Sequence, residues 1–303
     1  MKKHMGEIGL FTIAIIWGSG FIGTKLALDG GLSPVQTLTV RFFIASLILG
    51  TIFFKQIRKN IDKKSLIGGI LLGIFSFIGF STQTMALLYT TVSKNAFITA
   101  VNVVIVPFIG FFIYKRKLDK LGIISSFIAL SGIGILSLQA DFTVNFGDFL
   151  TFLCAIGFAF HIFFTGEFSE KYNTYVLVVT QFVVAFLLSA ILQIFTDQIN
   201  INATTMGIMG ALYLGVFSTA VSFLLQTICQ SKVEQTRSAI ILSTESLFGA
   251  ILSVLLLHET VTIRMVIGCI VIFFAIIISE TKLSFLKKEK NLELELDGNN
   301  DRM

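Results

Sequence analysis

The residue with the clearest chemical potential in this sequence is Glu245. It lies in SAIILSTESLFGAILSVLLL (238–257), an apolar run long enough to cross a bilayer as a helix. A carboxylate at mid-span costs roughly 2.5–3.5 kcal/mol on insertion scales, so it should face protein or water and have a partner. Two interpretations follow. Glu245 binds a proton or a substrate amine, or it joins two helices by bonding Arg41, Lys25 or a hydroxyl.

Further polar and aromatic candidates for ligand contact lie inside apolar runs: Gln83, Gln226, His161, Trp17 and Tyr213. His161 is either a packing residue or a second proton carrier, because a nearby carboxylate shifts histidine titration toward physiological pH. The two glutamines bind either substrate or neighbouring backbone. Trp17, followed by small residues, and Tyr213 either form the wall of a substrate site or pack between helices.

Two basic residues, Lys25 and Arg41, lie nearer the ends of their apolar runs. Arg41 either pairs with a carboxylate or extends toward lipid headgroups, and both interpretations make it structural. We therefore predict a structural role for Arg41 and Lys25 and treat both as candidates for ion pairs.

Patterns typical of hydrolases and nucleotide-binding enzymes are missing. The sequence has no HExxH, since His258 is followed by ETVT, and it has no G-x-S-x-G and no P-loop. Its three cysteines (Cys154, Cys229, Cys269) match neither a metal motif nor a disulfide framework. The sequence predicts no catalytic residues, no metal, no cofactor and no enzymatic activity.

The composition indicates a membrane protein. Of 303 residues, 54% are hydrophobic and 14% charged, which is too little charge to cover the surface of a soluble domain. Ten apolar runs can cross a bilayer as helices. They are 8–28, 35–54, 66–89, 92–114, 121–138, 148–166, 175–195, 206–229, 238–257 and 263–279.

The basic residues predict the orientation. With both termini in the cytoplasm, the cytoplasmic segments hold 19 of the 23 Lys and Arg residues, as the positive-inside rule requires. The net charge of +5 therefore reflects topology. Anionic lipid headgroups are the predicted partners of these clusters, and nucleic acid is not.

The chain also contains a weak internal repeat. QTMALLYTTVSKNAFITAVNVV, from Gln83, aligns with QTICQSKVEQTRSAIILSTESL, from Gln226, at an offset of 143 residues. VRFFIASLIL aligns with TQFVVAFLLSAIL, so that Arg41 corresponds to Gln181 at an offset of 140. We predict two five-helix repeats, 1–140 and 141–281, followed by a cytoplasmic polar tail, 282–303. Five helices per repeat invert the second copy, a plan common in secondary transporters.

The repeat predicts a shared cavity. In the fourth span one polar face consists of Asn95, Thr99 and Asn102, spaced i, i+4, i+7. The equivalent face of the ninth span consists of Ser238, Leu242 and Glu245. We expect the two faces to meet near the pseudo-twofold axis and to line one substrate site.

The sequence resembles the EamA-type family of the drug/metabolite transporter superfamily. The resemblance rests on WGSGFIGTKLAL in the first span, VRFFIASL in the second, NAFITAVNVVIVPF in the fourth and STESLFGAILSVLLLHETVT in the ninth. It covers nearly the whole chain up to about residue 281. One departure is Ser246, where members of the family often have proline. The resemblance implies an inner-membrane carrier of small metabolites, most often an exporter, that works by alternating access.

These observations together predict an all-α, multi-pass protein of the cytoplasmic membrane that exports amino acids or related metabolites. Export would be coupled to protons through Glu245 and His161, or it would be passive. A channel or facilitator is the alternative, and a membrane-embedded enzyme is a remote one. Gly122 and Ser126 indicate close helix packing within the repeat or the seam of a homodimer.

Overall fold

The computed structural model describes residues 2–115, 120–137, 144–196, 198–230, 233 and 241–281. All regular elements within these residues are helices. In the first half they are α1 (Lys2–Asp29), α2 (Pro34–Ile52), α3 (Phe54–Asn60), α4 (Lys63–Ala86), α5 (Val92–Ala100), α6 (Asn102–Tyr114) and α7 (Lys120–Ser137). In the second half they are α8 (Phe146–Ser169), α9 (Thr174–Phe195), α10 (Thr205–Tyr213), a π-helix (Leu214–Val221), α11 (Ser222–Gln230), α12 (Glu245–Leu257) and α13 (Ile263–Thr281).

Seven helical stretches of the described residues are long and apolar enough to cross a membrane. They are Met5–Asp29, Pro34–Ile52, Lys63–Ala86, Val92–Tyr114, Phe146–Ser169, Thr174–Phe195 and Thr205–Gln230. Shorter apolar helices occupy the other three predicted spans: Lys120–Leu136, Ile241–Leu257 and Ile263–Ile278. The outer surface is apolar, with exposed side chains such as Phe112, Phe127 and Phe195. Lipid is the solvent that such a surface requires.

Local sequence signals set the helix starts. At α2, Ser33 Oγ accepts a hydrogen bond from the Gln36 N–H (3.1 Å), and Gln36 Oε1 accepts one from the Ser33 N–H (2.9 Å). This capping box precedes Pro34 at the first helical position, where the missing N–H carries no cost. Asp62 and Thr204 cap α4 and α10 through their side-chain oxygens.

Two spans are broken at corresponding positions. At Val101, between α5 and α6, the N–H bonds the carbonyl of Ile98 three residues earlier (3.2 Å). Before α12, the Thr244 N–H bonds the carbonyl of Ile241 in the same way (3.2 Å). Both residues have similar dihedral angles, φ −63° and ψ −15° against φ −66° and ψ −10°. Each break is therefore one tightened turn.

The helices after the breaks also end alike. α6 and α12 each contain 13 residues and stop at a left-handed residue, Lys115 (φ 55°) and His258 (φ 53°). The breaks and the caps are both separated by 143 residues, the offset of the sequence repeat. The break at Thr244 forms without the proline that the family often has next to Glu245. Hydroxyls add bonds to carbonyls at the break, since Thr244 Oγ1 donates to the Ile241 carbonyl (2.6 Å) and Ser246 Oγ to the Ser243 carbonyl (2.8 Å).

The packing of the helices repeats between the halves. α4 packs on α8 and α9, and the α10–π–α11 stretch packs on α1 and α2. α1 packs on α12, as α8 packs on α5 and α6. Three contacts join corresponding spans directly: the second spans through α2 and α9, the fourth through α5 and α12, and the fifth through α7 and α13. Exchanging the two halves thus maps the principal contacts onto themselves.

Candidate functional site

A small cavity lies where the two halves meet. Its volume is about 50 Å³, which holds a few water molecules. Its lining residues are Trp17, Gly20, Phe21, Thr24, Arg41, Phe80, Gln83, Thr99, Asn102, Phe158, His161, Ile162, Ser218, Phe223, Gln226 and Glu245. The surface is thus mixed aromatic and polar.

Most lining residues form pairs related by the sequence repeat. At an offset of 143 the pairs are Phe80 with Phe223, Gln83 with Gln226, and Asn102 with Glu245. At an offset of 141 they are Trp17 with Phe158, Gly20 with His161, and Phe21 with Ile162. Each half therefore contributes corresponding positions of its first, third and fourth spans to one shared space.

The structure brings seven of the nine predicted substrate-binding residues to this cavity. They are Trp17, Gln83, Thr99, Asn102, His161, Gln226 and Glu245. Asn95 and Tyr213 lie outside its lining. Asn95 Nδ2 donates to the carbonyl of Gln83 and to Thr151 Oγ1, both at 3.2 Å. The Tyr213 hydroxyl instead bonds Ser19 Oγ (2.5 Å).

The predicted second polar face is partly different. Leu242 packs in an apolar cluster with Leu10, Ile13 and Cys229. Ser238 lies outside the described residues. Glu245 is thus the one member of this face that the structure places at the cavity.

Glu245 is half-buried and is the first residue of α12. The positive end of a helix dipole favours a carboxylate there. Among the described residues its carboxylate has no hydrogen-bond donor and no basic partner within 4.0 Å. The clamp to Arg41, Lys25 or a hydroxyl that the sequence left open is therefore not formed in this conformation. The carboxylate faces the cavity instead.

Two other polar side chains at the cavity have hydrogen-bonding atoms that meet no partner within the described part of the chain. Gln226 is 1% exposed, and neither its side-chain nitrogen nor its oxygen has a partner. Asn102 is 5% exposed, and its Oδ1 has no donor. Buried polar atoms without partners cost free energy, so a site that retains them is suited to a ligand or to water. Gln83, the counterpart of Gln226, bonds Thr99 Oγ1 (3.4 Å).

Arg41 departs from its predicted structural ion pair. Its Nε donates to Thr219 Oγ1 (3.1 Å) and its Nη2 to Ser218 Oγ (3.5 Å), while the guanidinium stacks on Phe80, 4.0 Å from the ring centre. No carboxylate of the described residues lies within 4.0 Å of it. The ion-pair prediction fails because α2 directs this side chain inward, toward the hydroxyls of the π-helix.

Lys25 does form an ion pair, as predicted. Its Nζ lies 2.8 Å from Asp29 Oδ1, one turn along α1, and both side chains are partly exposed. Lys25 does not line the cavity, so the two basic residues that the sequence grouped together have different surroundings.

His161 is 2% exposed and its Nε2 lies 3.0 Å from Gln181 Oε1. Gln181 is the counterpart of Arg41 in the repeat. The ring also meets the edge of Phe223, with centroids 5.6 Å apart. The described contacts include no hydrogen bond between His161 and Glu245.

The π-helix shapes one wall of the cavity. A π turn leaves carbonyl groups without their usual helical partners, and such turns are frequent at functional sites. The Ser218 carbonyl accepts a bond from Trp17 Nε1 (3.1 Å), and Ser222 Oγ donates to the Phe217 carbonyl (2.8 Å). Ser218 and Thr219 thereby point their hydroxyls at Arg41.

Sequence reasoning proposed Trp17 as part of an aromatic wall but missed Phe80 and Phe223. Phe80 and Phe223 pack 5.8 Å apart, and Trp17 lies 5.1 Å from Phe223. The signal was present, since Phe80 and Phe223 each precede a repeat-related glutamine by three residues. The π-helix had no comparable signal.

A polar cluster closes one end of the bundle around the segment 90–94, and we call it the clasp. It comprises Thr90, Ser93, Lys94, Asp148, Ser253 and Glu259. Asp148, buried at the start of α8, accepts from Thr90 Oγ1 and lies 3.2 Å from Lys94 Nζ. Glu259 Oε2 accepts from the Ser93 N–H (3.2 Å) and hydroxyl (3.1 Å) and from Ser253 Oγ. Two carboxylates of the second half thus hold the beginning of α5.

Metal chemistry has no evident site in the part of the chain described here. No three His, Cys, Asp or Glu side chains lie close enough together there to hold an ion. The lining of the cavity presents hydrogen-bonding groups, charge and aromatic surface.

Comparisons with known proteins agree with this geometry. A family model described as the EamA-like transporter family matches residues 4–138 and again residues 145–281. An "uncharacterized transporter" of Archaeoglobus fulgidus is 37% identical over 279 residues, which are 92% of this chain and 86% of that protein. One of Clostridium kluyveri, also named "uncharacterized transporter", is 28% identical, over 96% of this chain and 98% of its own. A solved crystal structure shares the fold, with a TM-score of 0.67 and 15% identity over 93% of this chain and 99% of that one.

Proposed function

This chain belongs to the EamA-like transporter family of the drug/metabolite transporter superfamily, and from that premise we propose that it exports amino acids or related small metabolites across the cytoplasmic membrane. It is a membrane transporter and not an enzyme. The proposal concerns its cargo, its direction and its mechanism.

The architecture that we propose is ten spans in two inverted five-helix repeats, with both termini in the cytoplasm. Three observations support it. The helix breaks and left-handed caps recur at the sequence offset, the principal contacts are symmetric between the halves, and the basic residues alternate as the positive-inside rule requires. An odd number of spans per repeat gives the copies opposite orientations.

The observation that carries the proposed function is the cavity between the halves. It combines an unneutralised carboxylate, Glu245, with the free amide of Gln226 and the free carbonyl oxygen of Asn102. Aromatic rings supply apolar contact beside these polar groups. An amino acid offers an ammonium for Glu245, further hydrogen-bonding groups and an apolar side chain. Transporters built from inverted repeats bind substrate near the bilayer midplane, between the repeats.

Alternating access is supported by the clasp. It ties α5 to α8 and to the segment after α12, at the end that the charge pattern places outside. The small cavity volume fits a conformation closed at that end. Release of substrate outside would require Asp148 to separate from Lys94 and Glu259 from Ser93, as the halves rock or the α4–α5 hairpin bends.

Coupling to protons would operate through Glu245. A carboxylate that binds either a proton or the substrate ammonium, but not both, exchanges one for the other across the membrane. His161 is the second candidate, although its ring is engaged by Gln181. Without such exchange the protein would be a passive facilitator.

Transport by the purified full-length protein in proteoliposomes tests the proposal. Vesicles loaded with an unlabelled amino acid should take up the same labelled amino acid by saturable counterflow. If transport is coupled to protons, an imposed inward proton gradient should drive the amino acid out of the vesicles. Protein-free vesicles are the control. Flux that does not saturate would identify a channel. No flux of any amino acid by the folded protein would overturn the assignment of cargo.

A further inference from the structure

Arg41 is a buried cation without a counter-ion among the residues that the structure describes. Its side chain is 1% exposed, and both of its hydrogen bonds go to neutral hydroxyls, those of Thr219 and Ser218. Withdrawing a guanidinium from water is costly, and neutral hydroxyls offset only part of that cost. Such a charge at a cavity is suited to binding an anion that comes from outside the protein.

The guanidinium has capacity for that anion. It carries five N–H donors, of which two are used by Thr219 and Ser218. The remaining three have no acceptor among the described residues. Two parallel N–H groups match the two oxygens of a carboxylate, which is the geometry that arginine favours.

Neighbouring side chains hold the guanidinium in place. The ring of Phe80 lies against one face at 4.0 Å, and the hydroxyls of the π-helix fix its Nε edge. An arginine restrained in this way loses little conformational entropy when a ligand binds. The corresponding position in the other half is neutral, since Gln181 bonds His161 there.

The cavity therefore has one cationic and one anionic residue, and they do not neutralise each other. Arg41 and Glu245 both line it, yet they form no salt bridge. A ligand with both charges would satisfy both residues at once.

We propose that Arg41 binds the carboxylate of the substrate, so that the transported compounds are zwitterions with the carboxylate at Arg41 and the ammonium at Glu245. This inference rests on the proposed function and adds the residue that selects for the carboxylate. It reassigns Arg41 from a structural residue to a substrate-binding one.

The test compares each transported amino acid with its carboxamide and with the amine left after decarboxylation, as competitors in counterflow. Wild-type protein should prefer the amino acid to the carboxamide by at least about tenfold. In Arg41→Gln, which installs the residue of the other half, the preference should fall to within about twofold. Binding of the amino acid should weaken to the level of the carboxamide, whose own binding is retained. Arg41→Lys should keep a reduced preference.

Controls separate this inference from the function on which it rests. Lys25→Gln removes a cation that is already paired with Asp29, outside the cavity, and should leave the preference unchanged. If Arg41→Gln does not fold, as judged by its thermal unfolding, Thr219→Val tests the same site by loosening the guanidinium. Counterflow of amino acids with an unchanged preference in Arg41→Gln would overturn the inference alone. Absence of amino acid transport in the wild type would overturn the proposed function as well.

Discussion

The two halves of the chain place equivalent residues around one cavity but give them different partners. In the first half α4 is one regular helix, and its Gln83 bonds Thr99. In the second half the equivalent stretch is divided by the π-helix, and its Gln226 has no partner. The wider turn directs Ser218 and Thr219 toward Arg41 of the first half, so a local irregularity in one repeat orients a side chain of the other.

Charge differs between the halves as well. Asn102 corresponds to Glu245, and Gln181 corresponds to Arg41, so at each of these two pairs one half has a charged residue where the other has a neutral amide. The comparison teaches that the two halves duplicate the positions that form the cavity but not the charges at those positions. A symmetric framework supplies the cavity, and asymmetric side chains give it a direction for binding a polar molecule.

Removing the charge of Glu245, compared with truncating its counterpart Asn102, should have the largest effect. Glu245→Gln removes the only carboxylate among the described lining residues, so pH-driven transport in proteoliposomes should fall by at least about tenfold while counterflow remains measurable. Asn102→Ala should weaken counterflow but keep its pH dependence, because it removes no titrating group. Unaltered pH dependence in Glu245→Gln would show that the proton is carried elsewhere.

The helix crossings give the next comparison. α1 meets α12 at Gly18, where a Cβ would lie 2.6 Å from the Phe248 Cβ and 2.9 Å from the backbone of Glu245. The equivalent crossing of α8 already has a Cβ, that of buried Ala159. Gly18→Ala should therefore lower the free energy of unfolding by about 1–3 kcal/mol, since backbone cannot move aside easily.

The opposite change calibrates this effect. Ala159→Gly should cost about 1 kcal/mol through helix propensity alone. Thermal unfolding in detergent measures both variants. A Gly18→Ala variant as stable as the wild type would show that the α1–α12 crossing has room for a Cβ.

The glutamine pair tests whether unpaired polar groups are retained for function. Gln83→Leu should destabilise the fold by about 1 kcal/mol, because it leaves Thr99 without this bond. Gln226→Leu should leave stability unchanged or raise it by up to about 1 kcal/mol while weakening transport. Thermal unfolding and counterflow on the same preparations give both quantities. A large loss of stability in Gln226→Leu would indicate a structural role instead.

The helix caps give the smallest effect. The Ser65 hydroxyl, followed by backbone N–H groups of Ser65 and Lys64, donates to Asp62 and lowers the pKa of its carboxyl below the ordinary 3.8. A lowered pKa in the folded state stabilises the cap above pH 3.8, and this contribution is lost as the pH falls through the folded value. The start of α4 should then lose protection in hydrogen exchange at acidic pH.

Its counterpart in the other half provides the control. Thr204, which caps α10 by accepting from the Gly207 N–H, does not titrate, so that helix start should keep its protection. Asp62→Asn should remove the pH dependence at α4. Equal acid sensitivity at both helix starts would contradict the assignment.

Much of the fold could be predicted from periodicity and charge. Seven described helical stretches are long and apolar enough to cross a membrane, and shorter helices lie at the other three predicted runs. The offset read from Gln83 and Gln226 recurs in the breaks at Val101 and Thr244. Seven of nine predicted site residues line the cavity. They were selected as polar or aromatic residues inside apolar runs, and polar side chains within a span turn toward the protein interior. Asn95 lies outside the cavity because it is one turn before Thr99 in the helix, where its side chain contacts Thr151 instead. The carboxylate partner predicted for Arg41 is absent among the described residues, because sequence position near a span end does not reveal which way a side chain turns.

The sequence alone determined that the chain is helical, apolar enough for lipid and built from two related halves, since these properties follow from hydrophobic runs and repeated local patterns. Only the tertiary structure decided which polar side chains are satisfied and which are left free at the cavity. That distinction depends on contacts between residues up to about 200 positions apart, as between Trp17 and Ser218. No local pattern encodes such distances, because packing of the two halves against each other sets them.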